Sequence, residues 1–209
     1  MRRRRLIAAL PLAGVVAIAP RLAVAAPSGE LTKQAIFFDP GAPVLGNAKG
    51  SLNFAEFFDY RCPWCRGMHA MLRRLLAANP DIRFVAKEWP VFGGPSVTAA
   101  RVALAANWQG KFDSVNDALF TTPIADDASV MQAARQAGAD TARLERDMAA
   151  RAGELDDTLG TAAMQAAGLG LQGTPGLIIG NYLVPGALTE AKLAQAVRDA
   201  RAQMKGHAG

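Results

Sequence analysis

The chain has 209 residues, 51% hydrophobic and 20% charged, with 20 Gly, 12 Pro and two Cys. That length allows one sizeable domain or two small ones, and the composition excludes whole-chain disorder and collagen-like repeats. Two cysteines are too few for a disulfide-stapled scaffold or an all-cysteine zinc site.

The formal charge of +5 comes entirely from the beginning of the chain. Five of the 23 basic residues (Arg2, Arg3, Arg4, Arg5 and Arg21) lie in residues 1–25, which hold no acid, so 18 basic residues face 18 acidic ones in the remainder. Residues 1–25 read as a secretory signal peptide: a basic start at 2–5, an apolar core over 6–19 and Ala23-Val24-Ala25 as the cleavage site. The apolar run is shorter than the roughly 20 residues a membrane anchor needs, and Pro11 and Pro20 interrupt it. The arginine run is also a weak twin-arginine feature, and the general secretory reading is kept. A soluble exported protein in an oxidising compartment, the periplasm, is expected. A nucleic-acid partner is not, because no basic stripe survives cleavage.

Residues 26–209 show no internal repeat or linker. Residues 26–34 are polar, 35–38 read as a short strand, and a turn-rich stretch runs from Asp39-Pro40-Gly41 to Gly50. Residues 52–58 read as a buried strand. Pro63 opens a helix that carries Met68, Met71, Leu72, Leu75 and Leu76, and Asn79-Pro80 ends it. Residues 82–86 are a further strand. From 95 to about 168 the chain is alanine-dense and helical, with Ser96 and Asp140 as caps. Residues 177–179 and 182–184 flank Gly180-Asn181 as a hairpin, and Thr189 caps a last helix reaching about Met204.

The chemistry centres on Cys62-Pro63-Trp64-Cys65. A strand leads in and a helix starts within the motif, which puts Cys62 where unpaired N–H groups and the helix dipole favour an anion. The thiolate is the species that performs disulfide exchange, so Cys62 is expected to attack and Cys65, one turn along, to resolve. Pro63 at the first helical position costs no hydrogen bond. A purely structural disulfide across so short a loop would stabilise little. Zinc would need ligands beyond His69 and His207, and haem attachment needs His at position 66, which is Arg. No metal or cofactor is expected.

The segment Phe57-Phe58-Asp59-Tyr60-Arg61-Cys62-Pro63-Trp64-Cys65 resembles the active site of the DsbA-like thioredoxin-fold family, and the likeness runs from Asp39-Pro40-Gly41 to the last helix. The resemblance implies an α/β thioredoxin-like fold over 26–209, with a helical block inserted at about 95–168. It also implies that Gly173-Thr174-Pro175-Gly176 is the cis-proline loop beside the cysteines, with a cis bond between Thr174 and Pro175. Glu56 matches the family's buried acid, and Lys87 is its candidate lysine partner; the two would relay the proton of Cys65, or else form a plain ion pair between strands. Two positions depart from the best-known members, which have His where Trp64 stands and Glu where His69 stands. His69 is expected to pack or face solvent, out of reach of both sulfurs. Trp64 is expected to be exposed and, with Pro63, to meet substrate; Trp89 and Trp108 are expected to fill the interface between the two halves of the fold.

Gly168-Leu169-Gly170-Leu171-Gln172-Gly173 spells the dinucleotide-binding pattern, but it follows a helical stretch instead of opening one. It reads as a helix C-cap. The expected function is a periplasmic thiol–disulfide oxidoreductase acting on exported, folding proteins and reoxidised by a DsbB-type membrane partner. One alternative is a disulfide isomerase or reductase kept reduced by a DsbD-type donor, which Thr174 before the proline also suits. The other is a non-redox holdase chaperone. Residues 26–34 are too few for the oligomerisation segment of dimeric isomerases, so a monomer is expected.

Overall fold

The computed structural model describes residues 31–206; the expected signal peptide lies outside them. Five strands form one mixed sheet in the order β1-β3-β2-β4-β5. They are β1 (Val44–Gly46), β2 (Leu52–Phe58), β3 (Ile82–Glu88), β4 (Gly176–Ile179) and β5 (Tyr182–Pro185). β2 and β3 are parallel and joined through helix α2 (Pro63–Ala78), whereas every other pairing is antiparallel. β2 is central and covered on both faces, which is why residues 52–58 are almost uniformly apolar.

Alternation along the strands sends side chains to two cores. Leu52, Phe54, Phe58, Ile82, Phe84, Leu177 and Ile179 join the larger one, with Met68 and Leu72 of α2 and Leu193 and Val197 of α8 (Glu190–Gly206). Ala55, Phe57, Val85 and Ile178 form the smaller one, with Ile36, Phe37 and Ala166. Glu56 lies between Phe54 and Phe58 and therefore faces the larger core.

Residues 95–168 form the helical block: α3 (Pro95–Asn107), α4 (Phe112–Thr121), α5 (Asp127–Gln136), α6 (Thr141–Ala150) and α7 (Ala152–Gly168). Small alanines of α3 (Ala99, Ala103, Ala106) are fully buried in the larger core, so the block is continuous with the sheet domain. Asp140 caps α6 as expected by accepting from Arg143 N–H. The 180–181 hairpin also forms, with Gly180 at φ +59, a conformation that only glycine adopts cheaply.

Three local expectations are corrected. Residues 35–38 are not a strand: Thr32 Oγ1 accepts from Ala35 N–H and starts helix α1 (Lys33–Phe37), which lays Ile36 and Phe37 on the smaller core. A four-residue apolar run cannot by itself distinguish the two states. The turn-rich stretch after Asp39 contains β1, an edge strand of three residues. Ser96 caps nothing; α3 starts at Pro95 with Gly94 as its N-cap, and the Ser96 hydroxyl donates to Asp59 instead.

Candidate active site

β2 ends at Phe58, and a tight turn follows in which Cys62 N–H donates to the Asp59 carbonyl at 3.1 Å. This turn delivers Cys62 as the N-cap of α2, with extended backbone (φ −68, ψ 120) and Pro63 as the first helical residue. The first intrahelical bond runs from Arg66 N–H to the Cys62 carbonyl at 3.0 Å. Pro63 has no N–H, so the first-turn donors of Trp64 and Cys65 are those that a helix start leaves unpaired. The Cys62 side chain makes no capping bond; its Sγ lies 3.2 Å from the Thr174 carbonyl oxygen. The Thr174–Pro175 peptide bond is cis, and the loop it forms immediately before β4 brings the Thr174 carbonyl against Cys62.

Both cysteines are nearly inaccessible, Cys62 at 2% and Cys65 at 1%. Burial pushes the Cys65 thiol up, and the neighbouring Glu56 and Cys62 push it further, against an opposing backbone hydrogen bond from Asp59. Cys65 therefore holds its proton at neutral pH. Glu56 is 3% exposed, and its Oε1 has no hydrogen-bond partner. Its pKa is pushed from 4.5 up to about 8 by burial alone, which leaves it a neutral acid at pH 7.

These features match a known family. A family model, the DSBA-like thioredoxin domain, covers residues 54–198. The chain belongs to the DsbA-like thioredoxin family. Among solved structures, a thioredoxin-like oxidoreductase from Silicibacter pomeroyi is 41% identical, with a TM-score of 0.77 over 81% of this chain and 98% of that one. A periplasmic thioredoxin-like protein from Salmonella enterica serovar Typhimurium is 32% identical over 81% and 95%, with a TM-score of 0.69. The thiol-disulfide exchange protein alpha-DsbA2 from Wolbachia pipientis is 25% identical over 79% and 90%, with a TM-score of 0.74. No curated protein matches. This DsbA-like protein is accordingly a thiol–disulfide oxidoreductase with the α/β thioredoxin fold and helical insertion of its family.

The pairing of Glu56 with Lys87 is corrected. In the parallel register Glu56 stands beside Ala86, and Lys87 stands beside Phe57. An offset of one residue sends the two side chains to opposite faces of the sheet. Lys87 instead donates to Asp39 Oδ2 at 2.7 Å, within a pocket where it is 1% exposed. Burial lowers the Lys87 pKa and Asp39 opposes that shift. Only Glu56 of the two faces the cysteines.

A second acid, Glu88 at the end of β3, was not singled out in the sequence. It is 2% exposed, and the Tyr60 hydroxyl lies 2.9 Å from its Oε1 and 3.0 Å from Asn116 Oδ1 of α4. Burial holds the Glu88 carboxyl well above the usual range, Asp59 and Glu56 add to this, and the Tyr60 bond opposes it.

The remaining sequence-predicted residues are placed as follows. Trp64 is 68% exposed, as expected. His69 packs and does not face solvent: it is buried, stacked on Phe120 and 2.7 Å from Asp117 Oδ1, and burial lowers its pKa against the pull of that carboxylate. Trp89 rests on the smaller core, while Trp108 packs on the larger one beneath the Arg151 guanidinium, 3.7 Å from the ring centre. So the two tryptophans do not share one interface. The Gly168–Gly173 pattern is a C-cap: Leu171 N–H returns to the Ala166 carbonyl at 3.0 Å, with Gly170 at φ +73. Among the described residues no cluster of three or more His, Cys, Asp or Glu could hold a metal, and no helix is long and apolar enough to cross a membrane.

Proposed function

We propose that this protein passes the Cys62–Cys65 disulfide to exported proteins while they fold. A substrate thiolate attacks Cys62 Sγ and forms a mixed disulfide; the Cys62–Cys65 bond breaks, and its electron pair leaves on Cys65. A buried thiolate of high proton affinity is a poor leaving group, and neutral Glu56 beneath it supplies the proton. A second substrate thiolate then attacks the substrate sulfur of the mixed disulfide. Cys62 departs as a thiolate towards the first-turn N–H groups of α2. The substrate has lost two electrons and gained a disulfide; the protein holds them as a dithiol, which a DsbB-type membrane partner reoxidises. Residues 1–25 direct the chain to the periplasm, where it acts as a monomer with Trp64 and Pro63 meeting substrate.

The observation that carries this reading is the position of Cys62 Sγ, at the start of α2 and against the cis-proline loop. The test uses a reduced, unfolded protein whose activity returns only when its disulfides form. Oxidised wild type restores that activity and Cys62→Ser does not. Restoration by Cys62→Ser would instead establish the holdase reading. Thr174 before the proline keeps a second reading open, a reductase or isomerase fed by a DsbD-type donor. Alkylation trapping in periplasmic extracts separates the two: a mostly oxidised pair supports the donor role, and a mostly reduced pair rejects it.

A further inference from the structure

The β3–α3 loop, residues 89–94, supplies nothing to the sulfur chemistry above, yet it is fastened to the cysteine turn. The fastening is Asp59, 1% exposed, which lies three residues before Cys62. Its Oδ1 accepts from Arg61 N–H at 2.7 Å and from the Ser96 hydroxyl at 2.8 Å; its Oδ2 accepts from Phe92 N–H at 3.1 Å. The active-site turn, the loop and the first turn of α3 thus meet on one carboxylate. The loop carries no charged residue, and it exposes Val91 (42%) and Phe92 (55%). With Trp64 these make three of the eight large apolar side chains exposed among the described residues, and all three lie on the two segments that join at Asp59 or Cys62. An exposed apolar loop fastened to the turn that carries the reactive cysteine offers a contact surface for a partner.

We propose that Asp59 is a positioning residue for specificity: it holds the loop that exposes Val91 and Phe92 to the turn that carries Cys62, as a lip for a polypeptide segment that carries a large apolar side chain next to its cysteine. The proposal rests on the oxidoreductase reading, in which such a segment must approach Cys62. A small dithiol is too short to touch the lip, so the lip discriminates between reductants while the sulfur chemistry stays common to both. The geometry supplies a selective perturbation. In Asp59→Asn the amide oxygen can keep Arg61 and Ser96, which leaves the amide nitrogen facing the Phe92 N–H, donor against donor, and releases the loop.

The experiment compares the oxidised protein's kcat/KM for a reduced peptide with a phenylalanine beside its cysteine against its rate constant for dithiothreitol. The ratio is expected to fall about tenfold in D59N and equally in F92S, mainly through KM of the peptide. The D59N/F92S double variant is expected to fall no further, since both changes remove the same contact. An unchanged ratio in F92S, whose exposed side chain the fold does not need, would overturn the proposal even if D59N failed to fold. So would losses that multiply in the double variant. Wild type that oxidises neither reductant would instead sink the oxidoreductase reading itself.

Discussion

Glu56 makes the strongest quantitative demand on this structure. A carboxyl whose folded pKa is raised favours folding most when protonated, so its contribution is fully present below the unfolded pKa and is lost as pH rises through the folded one. Here the window runs from 4.5 to about 8. The loss accrues at about 1.4 kcal/mol per pH unit, which comes to about 3 kcal/mol at pH 7 and about 4 kcal/mol at pH 8, where the folded carboxyl is itself half ionised. Glu56→Gln keeps the volume but cannot ionise. Its buried amide carries a cost of its own, which is constant with pH, so the diagnostic quantity is how the difference from wild type changes with pH. Glu56 also raises the Glu88 pKa, so the same comparison in a Glu88→Gln background isolates the Glu56 contribution. Urea unfolding of the reduced proteins at a series of pH values is expected to show a flat difference below pH 4.5, then a gain for E56Q of about 3 kcal/mol by pH 7. A difference that stays constant from pH 4.5 to 8 would refute the claim that burial keeps Glu56 neutral.

Other perturbations test the supports around the site. Lys87→Met strands the Asp39 carboxylate and should cost about 3 kcal/mol in urea unfolding, with exchange kinetics unaltered because Lys87 faces away from the cysteines. Slowed exchange at equal stability would return Lys87 to the proton path. Arg66 donates to the carbonyls of Tyr60, Leu119 and Thr122 at 3.0 to 3.1 Å, tying the cysteine helix to the end of α4. Arg66→Lys, which cannot span three carbonyls, should lose about 2 kcal/mol of stability. No loss would mean that those bonds are replaced by water.

Much of the fold was legible because its signals are local. Pro63 after Cys62 marks a helix start, the apolar run of β2 marks a strand covered on both faces, and Gly180-Asn181 marks a hairpin. Cys62, Cys65 and Pro175 could be named because a motif carries them, and the cis-proline came through family resemblance. What failed depends on contacts between distant segments. Residues 35–37 became helical because Thr32 caps them and the smaller core receives Ile36 and Phe37. The partner of Lys87 turns on a one-residue difference in strand register, which no spacing in the sequence encodes. Asp59 sits in plain view within Phe58-Asp59-Tyr60, but its three donors come from positions 61, 92 and 96. Ser96 looked like a cap for the same reason that it serves Asp59: a short hydroxyl beside a helix start bonds whatever acceptor the fold brings near.

The account depends most on Cys62, and not Cys65, being the attacking sulfur. The direct measurement is the reaction of each single-cysteine variant with a chromogenic aryl disulfide at pH 7. The variant keeping Cys62 (C65S) is predicted to react at least about tenfold faster than the one keeping Cys65 (C62S), since α2 favours the anion at its start and burial disfavours it one turn along. Equal rates, or a faster Cys65, would contradict the account.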